Sequence, residues 1–167
     1  MKFQVLKANV LRNLVIAIGV LVIGNLITVY YLNNTYANVQ ELPKGLRLFV
    51  KLLNVDLEAN LPTYFSALVL LGDAILLAFI AYGSKALGEQ FLHWIGLSAI
   101  FVFISLDEMI QIHEQLRAPM EALFNTSGLL YFAWFIPYLA LVVIIGIAYF
   151  KFMMRLPKKI LKLFILA

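Results

Sequence analysis

Residues 91–117 read FLHWIGLSAIFVFISLDEMIQIHEQLR, and this stretch decides the fold. Its first part is an apolar run, and an uninterrupted run of this kind is typical of a helix that crosses a membrane. Its second part carries five ionisable side chains, which are Asp107, Glu108, His113, Glu114 and Arg117. The pattern predicts a transmembrane helix that ends in a polar cluster at the membrane surface.

The composition of the whole chain agrees with this interpretation. The chain has 167 residues, of which 63% are hydrophobic and 13% are charged, and its mean hydropathy is +0.94. A soluble domain contains about 25% charged residues, and a chain this small could not bury so much apolar surface in its own core. The apolar runs are continuous, whereas the strands of a membrane barrel alternate. The sequence therefore predicts an all-α integral membrane bundle.

Four apolar runs predict four transmembrane helices within a single transmembrane domain that spans residues 1–167. The predicted crossings are residues 14–32, 62–82, 91–108 and 128–150. Between the first two, the apolar and polar residues of 44–58 fall on opposite sides of a helical wheel, which predicts an amphipathic helix in the interface. The basic tail, residues 151–167, ends in an apolar run that resembles the start of a further helix.

The basic residues also predict how the chain is oriented. Nine of the 13 Lys and Arg residues lie in the N-terminal segment, the second loop and the tail, and four lie in the other two loops. The positive-inside rule then places both termini in the cytoplasm and the polar cluster on the outer side. The net charge is +4, and the basic residues lie beside hydrophobic runs. This placement favours anionic lipid rather than nucleic acid as the partner. With no cysteine, disulfides and thiolate-held metals are excluded.

The polar cluster has three interpretations. If one helix continues to Arg117, Asp107 and Glu114 share a polar stripe with Gln111, and His113 points about 100° away. In the first interpretation Asp107, Glu114 and His113 are ligands of a divalent metal such as manganese, iron or zinc. In this continuous helix they form an incomplete site, so further ligands would have to come from elsewhere, and the candidates are Asp56 and Glu58.

The second interpretation is proton transfer, because neighbouring carboxylates and a histidine can exchange protons near neutral pH. The third is a solvated helix end in which Glu114 and Arg117 pair across one turn. No phosphate loop, nucleophile elbow or paired zinc motif is present. No catalytic residue and no cofactor-binding residue is therefore assigned.

An acidic residue also lies inside the second predicted crossing. Asp73 falls near the bilayer centre, where a charged side chain costs about 2.5–3.5 kcal/mol and often marks function. Asn25, Thr28 and Ser98 lie at a similar depth in the first and third crossings. These residues predict an intramembrane polar cluster, with Asp73 acting either as a hydrogen-bonding contact between helices or as a site for ions or protons.

The chain resembles a group of multi-pass bacterial inner-membrane proteins to which no activity is assigned. The resemblance rests on residues 56–66 (DLEANLPTYFS), on Leu106-Asp107-Glu108 with His113-Glu114, and on RLPKK at 155–159 followed by LFILA at 163–167. It implies a bacterial inner membrane, and in this group the tail leads into further transmembrane helices. It assigns no role to any residue.

Two classes of function follow. The first is a non-enzymatic accessory or structural subunit that packs against other membrane protein subunits in the lipid bilayer. The small size, the lack of a recognisable catalytic set and the many aromatic residues favour it. The alternative is a membrane enzyme, or an ion- or proton-coupled carrier, that uses the outward-facing acidic and histidine cluster.

Overall fold

The computed structural model describes residues 2–34, 39–124 and 135–166, and within these ranges the chain is helical with no strand. The prediction of an all-α protein is confirmed. A short 3₁₀ turn covers Val39–Glu41, and the α-helices described are α1 (Lys2–Asn34), α2 (Lys44–Leu53), α3 (Leu61–Ala86), α4 (Leu92–Ile110), α5 (Ile112–Phe124), α6 (Phe135–Arg155) and α7 (Lys158–Leu166).

Four of these helices are long and apolar enough to cross a membrane, as predicted. They are Lys7–Asn34 of α1 and the whole of α3, α4 and α6. The fourth crossing was predicted to begin at residue 128, and residues 128–134 lie outside the described ranges. Many large apolar side chains on these helices are exposed, for example Phe79 at 69% and Ile147 at 73%. In a membrane such side chains face lipid, which is as apolar as they are.

The amphipathic helix is shorter than predicted. It was expected over residues 44–58, and α2 ends at Leu53, because Asn54 adopts an extended conformation with φ −76° and ψ 118°. The chain then turns, and Ala59 lies in the left-handed region with φ 53°. The side chain of Asn60 binds the carbonyls of Asn54 and Leu57 inside this turn. The local hydrogen bonds of two asparagines therefore stop a helix that the hydrophobic pattern would continue.

The chain divides into two compact units, Met1–Val69 and Leu70–Ala167, which are described separately. In the first unit α2 packs against α1. Val50 of α2 is fully buried, and Gly24 of α1 faces Leu53, whose Cδ1 would lie 2.8 Å from an added Cβ. The Asn25 side chain of α1 accepts a hydrogen bond from Val55 N at 3.0 Å. The glycine allows the close approach, and the asparagine fixes the end of α2.

The second unit has an apolar core to which three helices contribute. Leu77 of α3, Leu97 of α4 and Phe152 of α6 are buried together. Partly buried side chains surround them, namely Trp94, Phe101, Tyr149, Met153, Leu156 and Phe164. Because Phe164 belongs to α7, the tail helix packs against this core. The hydroxyl of Ser98 on α4 donates a hydrogen bond to the Ala74 carbonyl of α3 at 2.8 Å, which ties these two helices together.

Candidate functional site

The helix that carries the polar cluster is broken at Gln111. This residue adopts a left-handed conformation with φ 56° and ψ 48°, and its N–H donates to the Asp107 carbonyl at 2.8 Å. Helix α4 ends there, and α5 begins at Ile112. The prediction of one continuous helix to Arg117 is therefore wrong. Because of the break, the side chains after Gln111 point in directions different from those that the helical wheel of one continuous helix predicts.

The left-handed residue gives a direct test of the break. Left-handed backbone costs a residue with a Cβ about 1–2 kcal/mol, whereas glycine adopts it readily. We expect Gln111→Gly to raise the free energy of unfolding by about 0.5–1 kcal/mol in detergent. The measurement is a titration from dodecyl maltoside into SDS micelles, followed by tryptophan fluorescence. Gln111→Ala, which removes the same side chain without freeing the backbone, is the control, and an equal gain from both variants would refute the explanation.

Asp107 is the centre of the cluster. It is 8% exposed, and its Oδ1 accepts hydrogen bonds from His113 N at 2.9 Å and from the Tyr138 hydroxyl at 2.8 Å. Its Oδ2 lies 3.1 Å from His113 Nδ1. Since a carboxylate can only accept, the proton in this last contact belongs to Nδ1. One carboxylate thus joins the end of α4, the first turn of α5 and the first turn of α6.

The hydrogen bond to Asp107 orients the histidine ring. With Nδ1 directed at Asp107, the opposite nitrogen Nε2 lies 4.0 Å from Glu114 Oε1. The side chain of His113 is 16% exposed, and that of Glu114 is 34% exposed. The predicted separation of His113 from Asp107 is therefore wrong, because the break at Gln111 brings the two side chains together.

Other charges of the cluster are arranged locally along α5. Arg117 Nε pairs with Glu121 Oε1 at 2.9 Å, four residues further along the helix, and α5 continues through Pro119. This ion pair is therefore local to α5. Asp56 and Glu58 belong to the turn after α2 in the first unit, where both side chains are exposed.

Tyr138 was not anticipated as part of the cluster. It follows Asp107 by 31 residues and lies within a run of aromatic and apolar residues, which is the ordinary composition of a membrane interface. Its ring also lines an apolar cleft of about 710 Å³ between α4 and α6, together with Ile104 and Leu141. Only the packing of α6 against α4 shows that its hydroxyl reaches Asp107, and no periodicity in the sequence carries that information.

The intramembrane polar residues are placed differently from one another. Asn25 accepts from the backbone of Val55 and Ser98 donates to the backbone of Ala74, so both are hydrogen-bonded within their own units. Thr28 donates to the Asn25 carbonyl at 2.8 Å. Asp73 has an exposed side chain and lines a small cavity in the second unit. Asn25 and Ser98 therefore tie separate backbone segments together and Thr28 bonds within α1, whereas Asp73 presents its carboxyl group at the helix surface.

The chemistry of the cluster follows from this arrangement. A buried carboxylate that accepts from one nitrogen of an imidazole orients the ring, and the opposite nitrogen of an imidazole can bind a metal or exchange a proton. A second carboxylate, that of Glu114, lies beside this opposite nitrogen. An imidazole nitrogen and a carboxylate oxygen side by side are donors that suit zinc, manganese or iron.

Comparison with known proteins identifies the family of the chain but assigns it no activity. No curated protein and no solved structure matches the chain. One family model matches residues 13–167, which is almost the whole length, and its description is a domain of unknown function, DUF8692. The described part of the chain has the Asp107–His113–Glu114–Tyr138 cluster and four helices long and apolar enough to cross a membrane, and the chain belongs to the DUF8692 family.

Proposed function

We propose that the protein is a metal-binding integral membrane protein, and that its metal centre uses His113 Nε2 and Glu114 as ligands. The observation that carries the proposal is the 4.0 Å distance between Nε2 and Glu114 Oε1. Two ligand atoms that each lie about 2.1 Å from one tetrahedral zinc ion are about 3.4 Å apart. One ion can therefore bind both atoms after the side chains approach each other by roughly 0.6 Å, and water or other oxygen donors complete its coordination.

Asp107 has a different role in this proposal from the one the sequence analysis gave it. Its two oxygens already accept three hydrogen bonds, so it orients His113 rather than binding the metal itself. A carboxylate that accepts from the non-ligating nitrogen of a histidine makes the ligating nitrogen more basic and fixes its direction. The donor set of one imidazole and one carboxylate suits zinc, manganese or iron.

The location of the protein is part of the proposal. We infer a bacterial inner membrane with both termini in the cytoplasm, supported by the distribution of Lys and Arg and by the resemblance to multi-pass bacterial proteins. In this orientation the cluster faces the outer side of the membrane, where metal ions are taken up or used. Cysteine labelling of single-cysteine variants at Glu89 and Glu121 tests it, since only the Glu121 variant should react with an impermeant reagent in intact cells.

Metal content tests the centre directly. Protein purified in dodecyl maltoside is expected to retain zinc, manganese or iron at close to one ion per chain by elemental analysis. His113→Ala and Glu114→Gln are each expected to lower the retained metal at least tenfold, because two ligands of one ion cannot be replaced by water without a large loss of affinity.

The control for this experiment is Glu121→Gln. It removes a carboxylate from the same helix, and that carboxylate pairs with Arg117, so the metal content should not change. Metal-free wild-type protein that stays metal-free after dialysis against each ion would refute the proposed centre. Equal loss in all three variants would show that the metal binds α5 without specificity.

A second candidate function is favoured by one separate observation, the exposed carboxyl group of Asp73. We propose that the protein is also an accessory subunit of a larger membrane complex. A carboxyl group exposed at the middle of a spanning helix is expensive in lipid, and other helices usually cover such groups. Purification in a mild detergent is expected to retain another membrane subunit in fixed ratio, and a wild-type protein that is monomeric in native membranes would contradict this role.

A further inference from the structure

Asp73 lies at the middle of α3, where a membrane offers it nothing to bind. Helix α3 runs from Leu61 to Ala86, so Asp73 is about 18 Å from its start at 1.5 Å per residue. This places it near the centre of a hydrocarbon layer about 30 Å thick. Its side chain is exposed, and no hydrogen bond or ion pair joins it to the rest of the described chain. The cost of this arrangement in lipid calls for a partner beyond the described residues.

The surface around Asp73 is shaped for a side chain. Asp73 lines a cavity of about 270 Å³, together with Leu77 of α3, Phe101 of α4 and Phe164 of α7. Sites for small molecules usually measure about 300–1,000 Å³, so this cavity is small for a free ligand. Its walls are apolar except for the one carboxyl group. A long side chain with an apolar stem and a polar end matches that distribution.

The chain itself has no basic residue at this depth. No Lys, Arg or His occurs in residues 52–84, 94–112 or 118–150, which include the interiors of α3, α4 and α6. The basic residue directly adjacent in sequence to a cavity-lining residue is Lys162 of α7, which precedes Leu163. The described structure contains no ion pair between Lys162 and Asp73. Within this sequence, no residue at this depth supplies the complementary charge.

We propose that the surface of α3 around Asp73 binds a transmembrane helix of a partner subunit, and that this helix inserts a lysine or arginine side chain toward Asp73. Charge complementarity selects this partner over a second copy of the chain. A second copy would bring another carboxyl group against the first, and like charges at close range disfavour ionisation of both. A basic side chain would keep its stem in the apolar cavity and direct its charge at the carboxylate.

This inference rests on the accessory-subunit role and adds the chemistry of the contact. The probe is a synthetic polyleucine transmembrane peptide with one central lysine, labelled with an energy-transfer acceptor. The full chain, labelled with the donor, is placed with it in phosphatidylcholine nanodiscs. The lysine peptide is expected to bind, and a matched peptide with leucine at the central position is expected to bind at least tenfold more weakly.

Three variants of the chain sharpen the test. Asp73→Leu should reduce binding of the lysine peptide at least tenfold, whereas Asp73→Glu should retain most of it. Glu89→Gln is the matched control, because it removes an acidic charge that lies in the loop outside the spanning segments. Circular dichroism checks that Asp73→Leu is folded, and if it is not, Asp73→Asn replaces it.

Four results would overturn the inference. Equal binding of the lysine and leucine peptides would show that the surface binds helices without charge recognition. Equal loss of thermal stability in Asp73→Asn, Lys162→Gln and the double variant would place the partner of Asp73 within the chain. Self-association that Asp73→Leu abolishes would identify a second copy as the occupant. If the Asp73→Leu variant retains the partner subunit in the same ratio as the wild-type protein, the accessory role stands and only the contact at Asp73 is rejected.

Discussion

Replacement of Asp107 by alanine is expected to lower the free energy of unfolding by about 3–5 kcal/mol. Asp107 accepts hydrogen bonds from His113 N, His113 Nδ1 and the Tyr138 hydroxyl. Alanine removes the acceptor for all three donors, and its site is nearly closed to water, since Asp107 is only 8% exposed. Each unsatisfied donor then costs about 1–3 kcal/mol, less where water or lipid headgroups can reach it.

The same substitution should also weaken metal binding by about 10–100-fold, because His113 loses the group that orients it. Unfolding in mixed SDS and dodecyl maltoside micelles measures the stability, and equilibrium dialysis with zinc measures the affinity. Asp107→Asn keeps one acceptor oxygen and should lose less than half as much stability. Tyr138→Phe removes one of the three hydrogen bonds and should cost about 1 kcal/mol.

Two results would contradict this account of Asp107. If Tyr138→Phe destabilised the protein as much as Asp107→Ala, the carboxylate would not be the common partner of three segments. If Asp107→Ala left both stability and zinc affinity unchanged, Asp107 would be a solvated side chain at a helix end, as the third interpretation of the sequence held.

The second large effect is expected at Asn60, at the start of α3. Asn60→Ala should lower the free energy of unfolding by about 2–4 kcal/mol. The Asn60 side chain donates to the carbonyls of Asn54 and Leu57, both at 2.6 Å. Its oxygen accepts from Thr63 N and Thr63 Oγ1, both at 3.0 Å. The residue is 1% exposed, so water cannot replace these partners.

Asn60→Asp separates the two halves of this network. Aspartate keeps the oxygen that accepts from Thr63 N, which is the helix-capping contact, and loses the two donors to the turn. The loss of unfolding free energy in Asn60→Asp should therefore lie between zero and the loss in Asn60→Ala. Thr63→Ala should lower the free energy of unfolding by about 1 kcal/mol. Thermal unfolding of the purified proteins in dodecyl maltoside ranks the variants, and a smaller loss for Asn60→Ala than for Thr63→Ala would contradict the capping role.

The spanning helices follow from composition and run length. A chain with continuous apolar runs has to satisfy its backbone hydrogen bonds within each segment, and a helix does this without any tertiary partner. For this reason α3 and α4 lie close to the predicted ranges, with ends within a few residues of them. The amphipathic helix was found at the predicted place for a similar reason, but its end at Leu53 depends on side-chain hydrogen bonds of Asn54 and Asn60.

The site could be predicted only in part. Asp107, His113 and Glu114 were singled out as candidates because ionisable residues directly after an apolar run are unusual. Their geometry was wrong, because a helical wheel assumes one unbroken axis and Gln111 interrupts it. Gln111 carries no glycine or proline signal, so the left-handed turn was invisible to local rules. Tyr138 was missed because a tyrosine at a membrane interface is ordinary in composition.

The sequence by itself determined what each segment is. Hydrophobicity and helix formation are local properties, so run length, basic flanks and the central position of Asp73 can be read from residue order. The tertiary structure decided which side chains meet. The left-handed turn at Gln111 redirects α5, and the packing of α6 beside α4 brings Tyr138 to Asp107 across 31 residues. Contacts of this kind depend on the relative position of whole helices, which no periodicity within a single helix encodes.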